Sequence, residues 1–266
     1  MKTTNLIPAL CLAFATLTSC QKENNITPFN ASNQSNNTSK ESDHFFLKEV
    51  ISTKGEVVQE FIYNDEKQIT QINLPVQVTQ YFNYDSKGKL ENVTTLDGKN
   101  GEVTEQLLYS YYDGTSLPFQ MEAFTNISGT MKLSTTTKFE WTAEGLKKHE
   151  TITDEATQET TENIFTYNEE NLSSVTKSVN GVQVEVKNIK AYDDGENPFA
   201  KLAVMRLMPG FESFKNNVVF LYTDSNGHIE NFTNEITYDP YDLPSIIKTS
   251  LDNGEKVSVR FTYEKM

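Results

Sequence analysis

A pair of large apolar residues two positions apart, followed by an acidic or Asn/Gly-rich turn and then a Leu or Ile, recurs along the chain. Phe61-Ile-Tyr63 leads to Ile69, Phe82-Asn-Tyr84 to Leu90, and Phe139-Glu-Trp141 to Leu146. Phe165-Thr-Tyr167 leads to Leu172, Phe220-Leu-Tyr222 to Ile229, and Ile236-Thr-Tyr238 to Leu243. Phe261-Thr-Tyr263 closes the series, and Tyr109-Ser-Tyr111 and Lys190-Ala-Tyr192 are degenerate copies. Residues i and i+2 of a strand share one face, so each pair buries a large aromatic area on a pleated surface. Asp, Asn and Gly then reverse the chain, because they tolerate positive φ or bond to nearby backbone. Each copy is one hairpin corner.

Between copies the residues alternate. Met131, Leu133, Thr135, Thr137, Phe139 and Trp141 fall on one face of a strand, with Lys132, Ser134, Thr136, Lys138 and Glu140 on the other. Second turns come from Lys54-Gly55, Asp97-Gly98, Asn180-Gly181 and Asn253-Gly254. Asn-Gly and Asp-Gly between alternating runs are strong hairpin signals. The pattern predicts an all-β fold: an antiparallel up-and-down meander of about 14–16 strands, closed or nearly closed into a barrel. One stretch departs from it. Asp193-Asp194-Gly195-Glu196-Asn197 reads as an acidic turn. Beyond it, Asn197-Pro198 offers a cap and a first-turn proline, and Phe199, Leu202 and Met205 have helical spacing. A short helix is expected over 198–207, plugging a barrel end or covering a sheet edge.

The N-terminus carries an address. Lys2 precedes an apolar run from Leu6 to Leu17, too short for a spanning helix but suited to a signal peptide. Leu17-Thr18-Ser19-Cys20 resembles a lipobox, with small residues before a cysteine whose thiolate accepts diacylglycerol. Residues 1–19 are expected to leave as signal peptide, Cys20 to be the lipid attachment site, 20–44 to form a polar tether, and 45–266 to form one β-meander domain. Loss of 1–19 removes Cys11, so the mature chain has no second cysteine for a disulfide or a thiolate metal site. The expected location is the outer membrane, facing periplasm or surface, with the lipid as the membrane contact.

Charge narrows the partners. Loss of Lys2 leaves 22 basic against 37 acidic side chains, which disfavours nucleic acid. Arg206 and Arg260 are the chain's two arginines, so bidentate anion clamps are scarce. A glycan or an envelope protein fits better as a partner.

Two resemblances add to this reading. Tyr84-Asp-Ser-Lys-Gly-Lys-Leu90 resembles the YD repeats of Rhs-type shell proteins. The lipobox, the Tyr-led corners and the run from Tyr192 through Asn197-Pro198-Phe199 resemble Bacteroidota lipoproteins of unknown function with a porin-like β-fold. That resemblance implies a fold rather than an activity.

Candidate chemistry is thin. His44, His149 and His228 are far apart and lack ligand spacing, and no H-E-x-x-H, G-x-S-x-G or phosphate loop occurs. Asp193 and Asp194, and Asp224 near Glu230, are the weak calcium candidates, without EF-hand spacing. Trp141, Tyr112 and Tyr241, near expected strand ends, are candidate sugar-stacking residues, although hairpin packing itself demands aromatics there. No catalytic residue and no cofactor is assigned, and a membrane-spanning barrel is disfavoured by runs such as 151–161, whose one large apolar residue is Ile152. The expectation is a non-enzymatic, lipid-anchored binding or scaffold module. The alternative is a carbohydrate-active or glycan-binding protein using carboxylates and aromatics at a barrel mouth.

Overall fold

The computed structural model describes residues 45–212 and 214–266. The expected signal peptide, Cys20 and tether lie outside the described residues. Sixteen strands run in chain order: β1 (Phe45–Ser52), β2 (Val57–Tyr63), β3 (Ile69–Leu74), β4 (Val78–Tyr84), β5 (Leu90–Asp97), β6 (Val103–Tyr111), β7 (Pro118–Ile127) and β8 (Thr130–Trp141). The second half continues with β9 (Lys147–Asp154), β10 (Thr160–Asn168), β11 (Asn171–Val179), β12 (Val182–Glu196), β13 (Asn216–Ser225), β14 (His228–Tyr238), β15 (Pro244–Leu251) and β16 (Lys256–Lys265). Each strand pairs antiparallel with its chain neighbours, and β1 pairs with β16, which closes the barrel.

An up-and-down meander sorts its turns onto two rims. Turns after odd-numbered strands are short. Ser128-Gly129, Asn180-Gly181 and Asn226-Gly227 each join two strands with both residues at positive φ. That is the two-residue turn whose twist matches a hairpin. Turns after even-numbered strands form the corner rim, which also receives the start of β1. There the register slips beside the last aromatic: Tyr63 faces Ile69, Tyr84 Leu90, Tyr111 Pro118, Trp141 Lys147, Tyr167 Leu172 and Tyr238 Pro244, each just past a β-bulge.

The buried face points into the barrel. Phe61, Ile72, Phe82, Val93, Met121, Phe139 and Phe261 fill the lumen, while Lys138, Glu140, Glu162 and Thr166 point outward. The large apolar residues that are exposed, such as Ile62, Ile127, Ile164 and Ile229, are dispersed over different strands. One detail of β8 differs from strict alternation. A bulge opposite Ala123 and Phe124 turns Leu133 outward, whereas Thr137 and Phe139 stay buried. An inserted residue reverses the facing of everything before it.

Residues 197–212 leave the sheet at the corner rim and enter the lumen. Phe199, Leu202, Val204, Met205, Leu207 and Met208 are buried in the main core. The Phe199 ring meets Phe61 and Phe261 edge-on at 6.4 and 6.0 Å. Of the two roles expected for this segment it takes the plug, and the short helix expected over 198–207 is a 3-10 turn rather than an α-helix. The segment makes turns over 198–201 and then a 3-10 turn, Ala203–Leu207. Phe199, Leu202, Met205 and Met208 recur every third residue, the period of the tighter helix. The acidic run is also corrected: Asp193 to Glu196 belong to β12 rather than to a turn.

Candidate functional site

The corner tyrosines do more than pack. Tyr63 donates its hydroxyl to the Leu47 carbonyl at 2.6 Å, Tyr84 to Ile69 at 2.8 Å, and Tyr111 to Leu90 at 2.8 Å. Trp141 donates its indole N–H to Pro118 at 2.7 Å, Tyr167 donates to Lys147 at 2.9 Å, and Tyr263 to Pro244 at 2.7 Å. Tyr192 donates to the Leu172 carbonyl. The accepting residue is always one that faces another aromatic of the series: Ile69 faces Tyr63, Leu90 faces Tyr84, and Leu47 faces Tyr263. The result is a belt of aromatics around the rim, each one tied to the strand that faces its predecessor. A bulge interrupts the ladder, and the phenol supplies a donor there. Burial pushes the phenols of Tyr63, Tyr84, Tyr167 and Tyr263 above the usual tyrosine range, and that of Tyr111 to about 12.

The belt changes partner once, where the plug leaves β12. Tyr238 donates to the Asp193 carboxylate instead of to a carbonyl. Asn217 donates to the Tyr238 hydroxyl at 3.0 Å and to the Gly195 carbonyl at 3.1 Å. Burial raises the Asp193 pKa, and the bonds from Tyr238, Gly195 and Asn217 oppose that rise. A Cβ at Gly195 would lie 2.3 Å from the Tyr238 hydroxyl, so this crossing requires glycine.

Beneath the belt lies an ion pair that sequence reasoning missed. The Lys147 ammonium bonds Glu150 at 2.8 Å and the Met208 carbonyl at 2.8 Å. Glu150 also accepts from Asn163 at 2.8 Å and from the Gly210 N–H at 2.9 Å. The ammonium stands 5.3 and 5.5 Å from the Phe139 and Phe165 ring centroids. Lys147 and Glu150 are 2% and 0% exposed, so both charges depend on these partners. Strict alternation puts residues 147 and 150 on opposite faces; the bulge between β8 and β9 brings them together. A second pair, Lys187 with Glu212 at 2.6 Å, ties the plug to β12. The plug is thus latched as well as packed.

The rim also carries an open cleft of about 470 Å³ between the 112–117 turn, the start of β7 and the end of β8. Tyr112 and Trp141 both line it, with Leu117, Phe119 and Phe139. Tyr112 is 64% exposed and stacks on Phe119, with centroids 4.2 Å apart and planes 18° apart. Thr115 donates its hydroxyl to the Tyr112 carbonyl at 2.9 Å, which braces the turn. Two of the three aromatic candidates thus line one cleft. Tyr241 is elsewhere on the same rim, in the turn after β14, with its ring 4.6 Å from Phe45. The calcium candidates do not converge. Asp193 serves Tyr238, Asp194 follows it in β12, and Asp224, at the opposite rim, accepts the Gly227 N–H of its own turn. Among the described residues no three His, Cys, Asp or Glu side chains form a metal-holding group.

No protein-family model and no curated protein matches the chain. Solved structures do. A porin-like protein from Bacteroides uniformis superposes with a TM-score of 0.52 at 16% identity, covering 83% of this chain and 96% of its own. A porin-like protein from Bacteroides vulgatus gives 0.53 at 10% identity, covering 83% and 100%. At these identities the likeness is one of fold.

Proposed function

We propose that this chain is a non-enzymatic outer-membrane lipoprotein, anchored through Cys20, whose barrel is a plugged pedestal and not a pore. The observation that carries this reading is the direction of the strands' faces. A spanning barrel presents an apolar band about 25 Å tall to lipid and a polar lumen to water. Here the apolar side chains fill the lumen, and Lys138, Glu140, Glu162 and Thr166 face outward. Latched residues such as Met208 and Gly210 occupy the lumen below the corner rim. A barrel of this polarity stays at a membrane by a covalent lipid, which the lipobox at Cys20 supplies. The porin-like names of the two Bacteroides neighbours are consistent with an envelope protein. Twenty-five residues of tether allow the corner rim to stand at most about 80–90 Å from the anchor. The proposed role is a binding or scaffold module held at that distance.

The test is metabolic labelling with a palmitate analogue in a lipoprotein-processing bacterium, followed by detergent phase partition. The wild type should take label and enter the detergent phase. Cys20→Ala should lose both properties and remain folded in water. Persistence of the Cys20→Ala protein in carbonate-washed membranes, or stepwise conductance in planar bilayers, would sink the reading.

A further inference from the structure

From the corner-rim cleft we infer that this protein binds a neutral pyranose ring of a glycan, stacked against Tyr112 and Trp141. The inference rests on the binding-module reading above and gives that module its ligand class. Four observations lead to it. The cleft is open and about 470 Å³, within the range of small-ligand sites. Its floor is aromatic: Tyr112 lies flat on Phe119, and Trp141 is fixed by its N–H bond to Pro118. A ring already held in place loses little freedom on binding. None of the side chains lining the cleft is charged, and Thr115 and Ser116 stand beside the aromatics. The chain as a whole is strongly acidic, with a net charge of −14.

These features select among occupants. An anionic sugar or phosphate would find no cation in the cleft and a repulsive field around it. An apolar peptide would gain from the floor, but the hydroxyls of the exposed Tyr112 and Ser116 would then lose water without a partner. A pyranose has one face of C–H groups and an edge of hydroxyls. Its C–H face matches the electron-rich ring faces, and its hydroxyls match the polar rim. The uncharged, half-aromatic cleft is therefore complementary to a neutral sugar.

Trp141 is the one tryptophan of the chain, so its fluorescence reports on this cleft alone. The full-length protein in detergent micelles is titrated with neutral glucan, mannan, galactan and chitin oligosaccharides. Oligogalacturonate and a Leu-rich peptide serve as the contrasting probes. At least one neutral oligosaccharide should change Trp141 emission saturably, and Tyr112→Ala should weaken that binding about tenfold. Tyr112 is 64% exposed, so its removal should cost no more than its stack on Phe119, and the protein should stay folded. Trp141→Phe, followed by calorimetry, provides a second variant in case the first perturbs the turn. Unchanged emission with every neutral oligosaccharide overturns the inference. So does equal or tighter binding of oligogalacturonate or of the peptide, or undiminished sugar binding by Tyr112→Ala. Palmitate labelling of the same preparation separates the two proposals. A labelled protein that ignores neutral sugars keeps the anchored-module reading and loses the ligand.

Discussion

At the scale of single residues, Lys147 and Glu150 show how two charges become tolerable inside an apolar barrel. Each has several polar partners from more than one element, and two aromatic rings flank the ammonium. Removal of one member strands the other. Glu150→Ala should therefore destabilise the protein by about 3–5 kcal/mol in urea unfolding. The double change Lys147→Met with Glu150→Leu should recover much of that loss, because it removes both charges while keeping volume. A single-variant cost below about 1 kcal/mol would mean that the pair is hydrated and weakly coupled to the fold. The pair could not be read from the sequence. Lys147-Lys148-His149-Glu150 looks like a solvated run, and a bulge at Lys148 is a backbone event that no residue in the run announces. Leu133 is the converse case: its sequence position assigns it to the core, and a bulge turns it out.

At the scale of elements, the hairpin corner is the repeating device. Its outline was legible, because aromatic pairs and Asp/Asn/Gly turns are both local signals. The second aromatic's hydroxyl spans from one hairpin to the next, which the aromatic spacing alone does not show. Knowing that requires the register, which depends on bulges. The plug segment was legible as an interruption that plugs an end or covers an edge; which of the two it is, and its helix type, depend on the closed barrel. The belt predicts a pH effect with a definite sign. Burial favours the neutral phenol, so the folded pKa lies above the unfolded value of about 10. The stabilisation is complete below pH of about 10 and is lost as pH rises toward the folded values. Tyr111 sets the lower end of that upper range at about 12. Urea midpoints should hold steady up to pH of about 9.5 and then fall by pH of about 11. Tyr84→Phe should lower stability near neutrality by about 0.5–1.5 kcal/mol, through its lost bond to Ile69, and shallow the alkaline decline. An alkaline profile identical in Tyr84→Phe and wild type would show that the belt phenols do not titrate with unfolding.

At the scale of the whole molecule, β1 and β16 form the closing seam, with Phe45 opposite Lys265 and Leu47 opposite Tyr263. The Tyr63 hydroxyl bonds to Leu47 and the Tyr263 hydroxyl to Pro244, as at other corners. The seam is a hairpin whose connecting loop has been left out. A circle of this kind has no natural origin, so the place where the chain opens is a matter of history rather than of architecture. A circular permutant that joins 266 to 45 through a short Gly-Ser linker and opens between Asn180 and Gly181 should fold to the same barrel. Its equilibrium stability should lie within about 1–2 kcal/mol of the parent, since closing or opening a short loop changes little. Its folding order should differ, because the β1–β16 pairing becomes local while β11–β12 becomes the distant closure. Matching circular dichroism with an altered refolding rate would show a fold indifferent to where its thread was cut.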